Sequence, residues 1–243
     1  MITFEPKSIQ EFSNGNFWVV YGRNGSGKTH FIGTFPGLLV VCFKDQGLNT
    51  LKNIPGVEYY NFDGSPKDLC DLCEMLKNSK YQTIAFDTLG VYVDQIKEMI
   101  KKKLNKTKME IQMWGDLGDY FCSCLMAMKE LSRTKTVIVS FHEQVDKVEG
   151  YENEIVPTVT ISVQGNVISK TLCGLANYAV HTYMYDYTDP KTMKSIPYHA
   201  MHVGVNPYYW TKFQTEYPVP DTIFNPSYEL VERIRNGQYY QQQ

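Results

Sequence analysis

Residues 22–29 read Gly22-Arg23-Asn24-Gly25-Ser26-Gly27-Lys28-Thr29, and no other stretch limits so sharply what this chain can become. The octapeptide satisfies G-x-x-x-x-G-K-[ST] at every position. The apolar, β-prone run Phe17-Trp18-Val19-Val20-Tyr21 leads into it, and His30-Phe31-Ile32 continues as a helix start. Glycines let a backbone take positive φ angles and come close to a phosphate. The loop amides then converge on phosphate oxygens at the positive end of the helix that follows. Lys28 is expected to reach the β- and γ-phosphates, and the Thr29 hydroxyl to bind Mg²⁺. The expected nucleotide site is therefore Gly22, Arg23, Asn24, Gly25, Ser26, Gly27, Lys28, Thr29 and His30, with ATP and Mg²⁺ as its cofactors. A chance glycine turn is the alternative, and the full match between a strand and a helix argues against it.

Around the loop, apolar runs alternate with amphipathic ones. Residues 38–43, 57–62, 83–87 and 136–141 read as buried strands, and residues 67–77, 91–104 and 117–132 as helices. This order predicts an α/β fold, a mostly parallel sheet flanked by helices, with ligands beyond the carboxyl ends of the strands. The glycine loop, Asp87, and His142 with Glu143 all stand at such ends. The last hundred residues are richer in Tyr, Pro, Thr and Val, with β-like runs at 178–187 and 199–205. They are expected to add strands and hairpins to the same sheet. One domain over 1–243 is expected, with its core at about 15–145 and a β-rich extension at about 146–235.

Hydrolysis also needs a carboxylate near Mg²⁺ and a group that activates water. Thr83-Ile84-Ala85-Phe86-Asp87 is an apolar strand ending in an acid, and Asp87 is the expected metal anchor; an acid there can also be a plain helix cap. No second acid follows Asp87. The candidate base is Asp45, in Phe43-Lys44-Asp45-Gln46-Gly47-Leu48, whose alternative role is a turn residue before Gly47. His142 closes the last core strand, where a polar side chain can bond the γ-phosphate or merely cap a loop. The catalytic set read from these positions is Lys28, Asp45, Asp87 and His142.

Residues 21–29, Asp45-Gln46-Gly47-Leu48, Ile84-Ala85-Phe86-Asp87-Thr88-Leu89 and Val139-Ser140-Phe141-His142-Glu143 follow one another in a characteristic order. Together they resemble the phage-type RecA-like P-loop ATPases, the AAA_24-type AAA domain group, which is related to single-strand annealing and recombination ATPases. The resemblance spans about residues 15–235. It implies a RecA-like core, a catalytic acid at Asp45 where the group usually has Glu, and a sensor at His142. A late segment that often reads Lys-x-Arg is Thr211-Lys212-Phe213 here, so Lys212 matches while Phe213 or Gln214 stands at the arginine position. Lys212 and Lys170 are the candidates for a cation that reaches a neighbouring subunit's phosphate. The resemblance also implies a homo-oligomer, ring or filament, acting on single-stranded DNA alongside phage replication or recombination proteins.

A formal net charge of -2 leaves room only for a local nucleic-acid patch. The densest basic run holds Lys97, Lys101, Lys102, Lys103, Lys106 and Lys108, with Trp114 close behind. Such a run can track a phosphate backbone while the indole stacks a base; the plainer reading is a solvated helix end. Residues 145–164 read as a loop or hairpin. Among six cysteines, Cys70 and Cys73 have C-x-x-C spacing inside an amphipathic helix, which favours ordinary packing thiols over a metal site. No apolar run reaches the length of a membrane span, and a cytoplasmic protein is expected, in the host cytoplasm if phage-encoded. The expected function is ATP hydrolysis coupled to single-stranded DNA in phage recombination, annealing or replication. The alternatives are a nucleotide-dependent assembly protein with little turnover and a small-molecule kinase. Arg23, Arg133, Arg233 and Arg235 are too scattered for an arginine-rich kinase lid.

Overall fold

Side chains of a strand alternate between its two faces, and here both faces are apolar. On β1 (Asn16–Tyr21), Phe17, Val19 and Tyr21 enter one core layer while Trp18 and Val20 enter the other, all fully buried. A strand with this pattern must lie inside a sheet covered on both sides. In the computed structural model, which describes residues 15–43, 48–149, 155–162 and 166–242, that is its position.

The chain alternates as expected. After β1 come α1 (Lys28–Ile32), β2 (Leu38–Cys42), β3 (Glu58–Asn61), α2 (Pro66–Leu76), β4 (Thr83–Asp87), α3 (Leu89–Lys103), α4 (Ile111–Leu131) and β5 (Thr136–Phe141). The strands β6 (Glu143–Glu149) and β7 (Ile155–Ile161), α5 (Asn166–Leu175), β8 (Tyr178–Thr188), β9 (Ser195–His202), β10 (Lys212–Phe213), β11 (Thr222–Phe224) and α6 (Tyr228–Arg235) complete it. A nine-stranded sheet runs β11-β9-β8-β1-β5-β4-β2-β3, with β10 also paired to β8. Neighbours from β8 to β3 are parallel, whereas β9, β10 and β11 are antiparallel additions.

Helices α2 to α5 cover one face through residues such as Leu69, Ile96, Leu117, Phe121 and Leu172. Helices α1 and α6 cover the other through Phe31, Ile32, Val231 and Ile234. Trp18 anchors this second layer, stacked on Tyr178 with ring centroids 4.3 Å apart. Each fully buried large apolar side chain contributes about 1.5–3 kcal/mol. Local signals agree with the packing where they are strong. Ser65 and Asp68 form a reciprocal capping box ahead of α2, with Ser65 N–H donating to Asp68 Oδ2 at 2.7 Å and Asp68 N–H to Ser65 Oγ at 3.3 Å.

Four expectations need correction. The strand at 57–62 is not buried. It becomes β3, the exposed edge, because among the described residues it pairs with β2 alone, and Tyr59 and Tyr60 are exposed. Helix α4 starts at Ile111 rather than near 117, since Met113 continues the seam of Leu117 and Phe121 and packing overrides the weak propensity of Gly115 and Gly118. The boundary near residue 145 does not separate a core from an extension, because β8 pairs in parallel with β1 at the centre of the sheet. Among the described residues, strands β6 and β7 do not join the main sheet and pair only with each other, from Glu143↔Ile161 to Glu149↔Ile155. No helix among the described residues is long and apolar enough to cross a membrane.

Candidate nucleotide site

The loop between β1 and α1 is shaped by its glycines and by the strand beside it. Gly22 has φ 155°, and a Cβ there would lie 2.3 Å from the Thr182 carbonyl oxygen of β8. Gly27 has φ 93°, and its Cβ would lie 2.5 Å from His199 Nδ1 of β9. A side chain at either place meets both backbone strain and a collision. The Ser26 and Thr182 hydroxyls, 2.8 Å apart, fasten the loop to β8.

Lys28 is 7% exposed, and its ammonium donates to the carbonyls of Gly22 at 2.8 Å and Arg23 at 2.7 Å. Burial pulls its pKa below the ordinary lysine value, with the charges of Asp87 and Glu143 opposing. The cation is thus curled inside the loop, held by backbone dipoles, where phosphate oxygens would be stronger partners.

Asp87, 5% exposed at the carboxyl end of β4, accepts the Thr29 hydroxyl at Oδ2 at 2.9 Å. Its Oδ1 accepts from Ser140 of β5 and, at 3.2 Å, from Thr88. Thr29 and Asp87 oxygens are 2.9 Å apart, close to the spacing of adjacent ligands around an octahedral cation with bonds of about 2.1 Å. A hydroxyl and a carboxylate are also the hard oxygen donors that Mg²⁺ takes, so the residues present fit that ion.

His142 stands half-buried just past β5. Burial holds its imidazole below the ordinary histidine pKa, the Lys28 charge adds to this, and Asp87 opposes it. The ring is therefore neutral at physiological pH. One cavity of about 350 Å³ joins the loop, Asp87, Thr88, His142, Thr50 and His199. The structure thus brings Lys28, Thr29, His30, Asp87 and His142 to one place. Asp45 lies outside the described residues.

Glu143, next along the chain, is 12% exposed and bonded twice, to Arg23 Nε at 2.7 Å and His181 Nε2 at 2.7 Å. Burial works to raise its pKa, but the bonds to His181 and Arg23 outweigh it and keep the carboxyl ionised. Burial lowers the pKa of His181 against the pull of Glu143, so a neutral imidazole donates its Nε2–H. Glu143→Ala strands that buried N–H and is expected to cost about 1–3 kcal/mol in urea denaturation. Arg23→Ala, at an exposed guanidinium, leaves the urea midpoint in place. An equal fall in both variants contradicts this division.

The other candidate residues lie elsewhere. Helix α3 leaves β4 beside Asp87 and runs back along the sheet for 15 residues, about 22 Å at 1.5 Å per residue, so its lysines sit far from the loop. Lys101 pairs with Glu98, Lys106 with Glu110 at 2.8 Å, and Lys97 with Asp94 at 2.8 Å while lying over the Trp114 ring. Much of the run's charge is therefore neutralised on its own surface, and Lys102 and Lys103 remain exposed. Lys170 is exposed on α5. Lys212, on β10, donates to the Cys173 carbonyl at 3.4 Å, beside the amino half of β8 and away from the loop.

Sequence reasoning missed Ser140, Thr182 and His199. Ser140 had a signal, a lone hydroxyl in an otherwise apolar strand. Thr182 and His199 had none, because β8 and β9 meet the loop only through the sheet pairing. The AAA domain family model, AAA_24, matches residues 14–200, well over half of the chain. No curated protein matches it.

Proposed function

Because the chain belongs to the AAA domain family of nucleotide-dependent ATPases, we propose that it binds ATP with Mg²⁺ at residues 22–30 and hydrolyses it, with turnover coupled to single-stranded DNA in phage recombination, annealing or replication. The observation that carries the ATPase part is the convergence of Thr29 and Asp87, 2.9 Å apart, beside the buried Lys28 ammonium. Thr29 and Asp87 would hold Mg²⁺, which would supply charge neutralisation on the phosphate chain. Lys28 exchanges its loop carbonyls for β- and γ-phosphate oxygens. Ser140 and Thr88 keep the Asp87 carboxylate in its orientation through hydroxyl hydrogen bonds. Neutral His142 is placed to bond the terminal phosphate or the water that attacks it. Asp45, three residues after the last residue of β2, is the proposed base, on the strength of its place in the sequence and of the resemblance.

The DNA part rests on the same resemblance and on exposed Lys102, Lys103 and Trp114 at the far end of α3 and the start of α4. Homo-oligomeric assembly is likewise proposed from the resemblance. Phosphate release from ATP, measured with and without saturating single-stranded oligonucleotide, tests both parts. Oligonucleotide is expected to raise the rate, and the oligonucleotide concentration needed for half the rise to increase by roughly tenfold or less from 50 to 200 mM salt, the scale for about two phosphate contacts on a single strand. An unchanged rate removes the DNA part and spares the ATPase part. Phosphate transfer to a nucleoside acceptor overturns the hydrolase reading. One observation favours a second reading, an assembly protein that holds ATP with little turnover: Glu143, a carboxylate at the loop end of the sheet, is tied up by Arg23 and His181. Tight ATP binding without phosphate release would mark that case.

A further inference from the structure

The cavity has two ends, and only one is explained by metal and terminal phosphate. Asp87 and His142 mark that end, on β4 and just past β5. The sheet order β9-β8-β1-β5-β4 puts His199 across β1, on the opposite side of the loop. A triphosphate whose terminal group lies by Asp87 must run along the loop toward β8 and β9, so the nucleoside emerges at the start of α1.

Two imidazoles wait there. His30 and His199 stack with centroids 4.7 Å apart and an interplanar angle of 21°. His30 is exposed, so its ring can take a second planar partner. His199 is fixed from behind: β9 pairs it with Met184, and the Asn225 N–H donates to its carbonyl at 2.6 Å. Its Nδ1 is buried against Gly27 and has no hydrogen-bond partner among the described residues. Burial, with His30 nearby, lowers the His199 pKa against the pull of a hydrogen bond to the Ser26 backbone, so the ring is uncharged at neutral pH and can stack without charge repulsion.

Resting on the nucleotide-site reading, we infer that His30 and His199 form the nucleoside end of the site: the nucleobase stacks on the exposed face of His30, and His199 backs that ring from its other face. The C-terminal strands thereby supply part of the nucleotide pocket, and Gly27 is required for the approach of His199 as much as for its own φ. A purine, with the larger ring face, binds better than a pyrimidine.

The test measures equilibrium binding of MgATP and of magnesium tripolyphosphate, which has no nucleoside. The proteins are the wild type, His30→Ala and His199→Phe. His30→Ala, at an exposed position, is expected to weaken MgATP about tenfold, the lower range for base–aromatic stacking, and to leave tripolyphosphate unchanged. His199→Phe keeps a ring behind His30 and is expected to retain MgATP far better than His30→Ala does. MgATP affinity equal to wild type in His30→Ala overturns the inference. So does a His30→Ala loss shared equally by tripolyphosphate. If wild type binds neither ligand, the nucleotide-site reading itself has failed and this inference falls with it.

Discussion

Replacing Lys28 with methionine is expected to lower ATP turnover at least about a hundredfold, the scale for removing one preorganised charge-stabilising donor. The fold should not suffer. Lys28 is a buried ammonium whose pKa is lowered by desolvation. The folded state holds its proton less tightly than the unfolded chain, so at neutral pH the charge works against folding. Methionine keeps the packed methylenes and removes that charge, at the price of two loop carbonyls losing a donor. Thermal unfolding is therefore expected at the wild-type temperature or slightly above. Steady-state phosphate release and a melting curve on the same preparation decide the matter. Retained turnover would remove Lys28 from catalysis. A collapsed melting temperature would mean that lost activity reports lost structure.

Asp87→Asn should be as damaging to turnover and should also destabilise. The carboxylate accepts three hydroxyls, from Thr29, Ser140 and Thr88. An amide replaces one acceptor oxygen with a donor, so at least one hydroxyl must turn away or go unpaired, at about 1–3 kcal/mol in a buried site. It also removes the negative charge that would anchor Mg²⁺ beside Thr29. Turnover is expected to fall by about 10² or more, and ATP affinity to lose most of its dependence on Mg²⁺ concentration. Titrations of nucleotide binding against MgCl₂ in wild type and variant provide the readout. An undiminished Mg²⁺ dependence in the variant would place the metal elsewhere.

The two replacements separate what the sequence could show from what it could not. Lys28, Thr29 and Asp87 were legible because each belongs to a local pattern with a chemical reason: a glycine loop between strand and helix, and an acid at the end of an apolar strand. The core strands β1, β2, β4 and β5 were legible for a similar reason, since a strand buried on both faces must be a continuous apolar run. Strand β3 misled because Val57-Glu58-Tyr59-Tyr60-Asn61-Phe62 has the composition of a strand but not the position of a buried one. Edge or centre depends on pairing partners, which local composition does not encode. The lysine run misled in another way. Charge density along the chain is visible, but pairing of Lys97 and Lys101 with Asp94 and Glu98 follows from helix geometry and rotamers, and that of Lys106 with Glu110 from the path of the loop between α3 and α4.

By itself, then, the sequence determined the glycine loop between β1 and α1, the acid at the end of β4 and the parallel α/β core, because backbone freedom, hydrogen-bonding type and hydrophobic period are all local properties. Only the tertiary structure decided that β8 lies against β1, and through it that Thr182 fastens the loop, His181 holds Glu143 and His199 closes on Gly27. These contacts join residues more than a hundred positions apart or on separate strands. They exist because β8 pairs in parallel with the side of β1 that β5 leaves open, and no periodicity in residues 178–202 announces which strand they will meet.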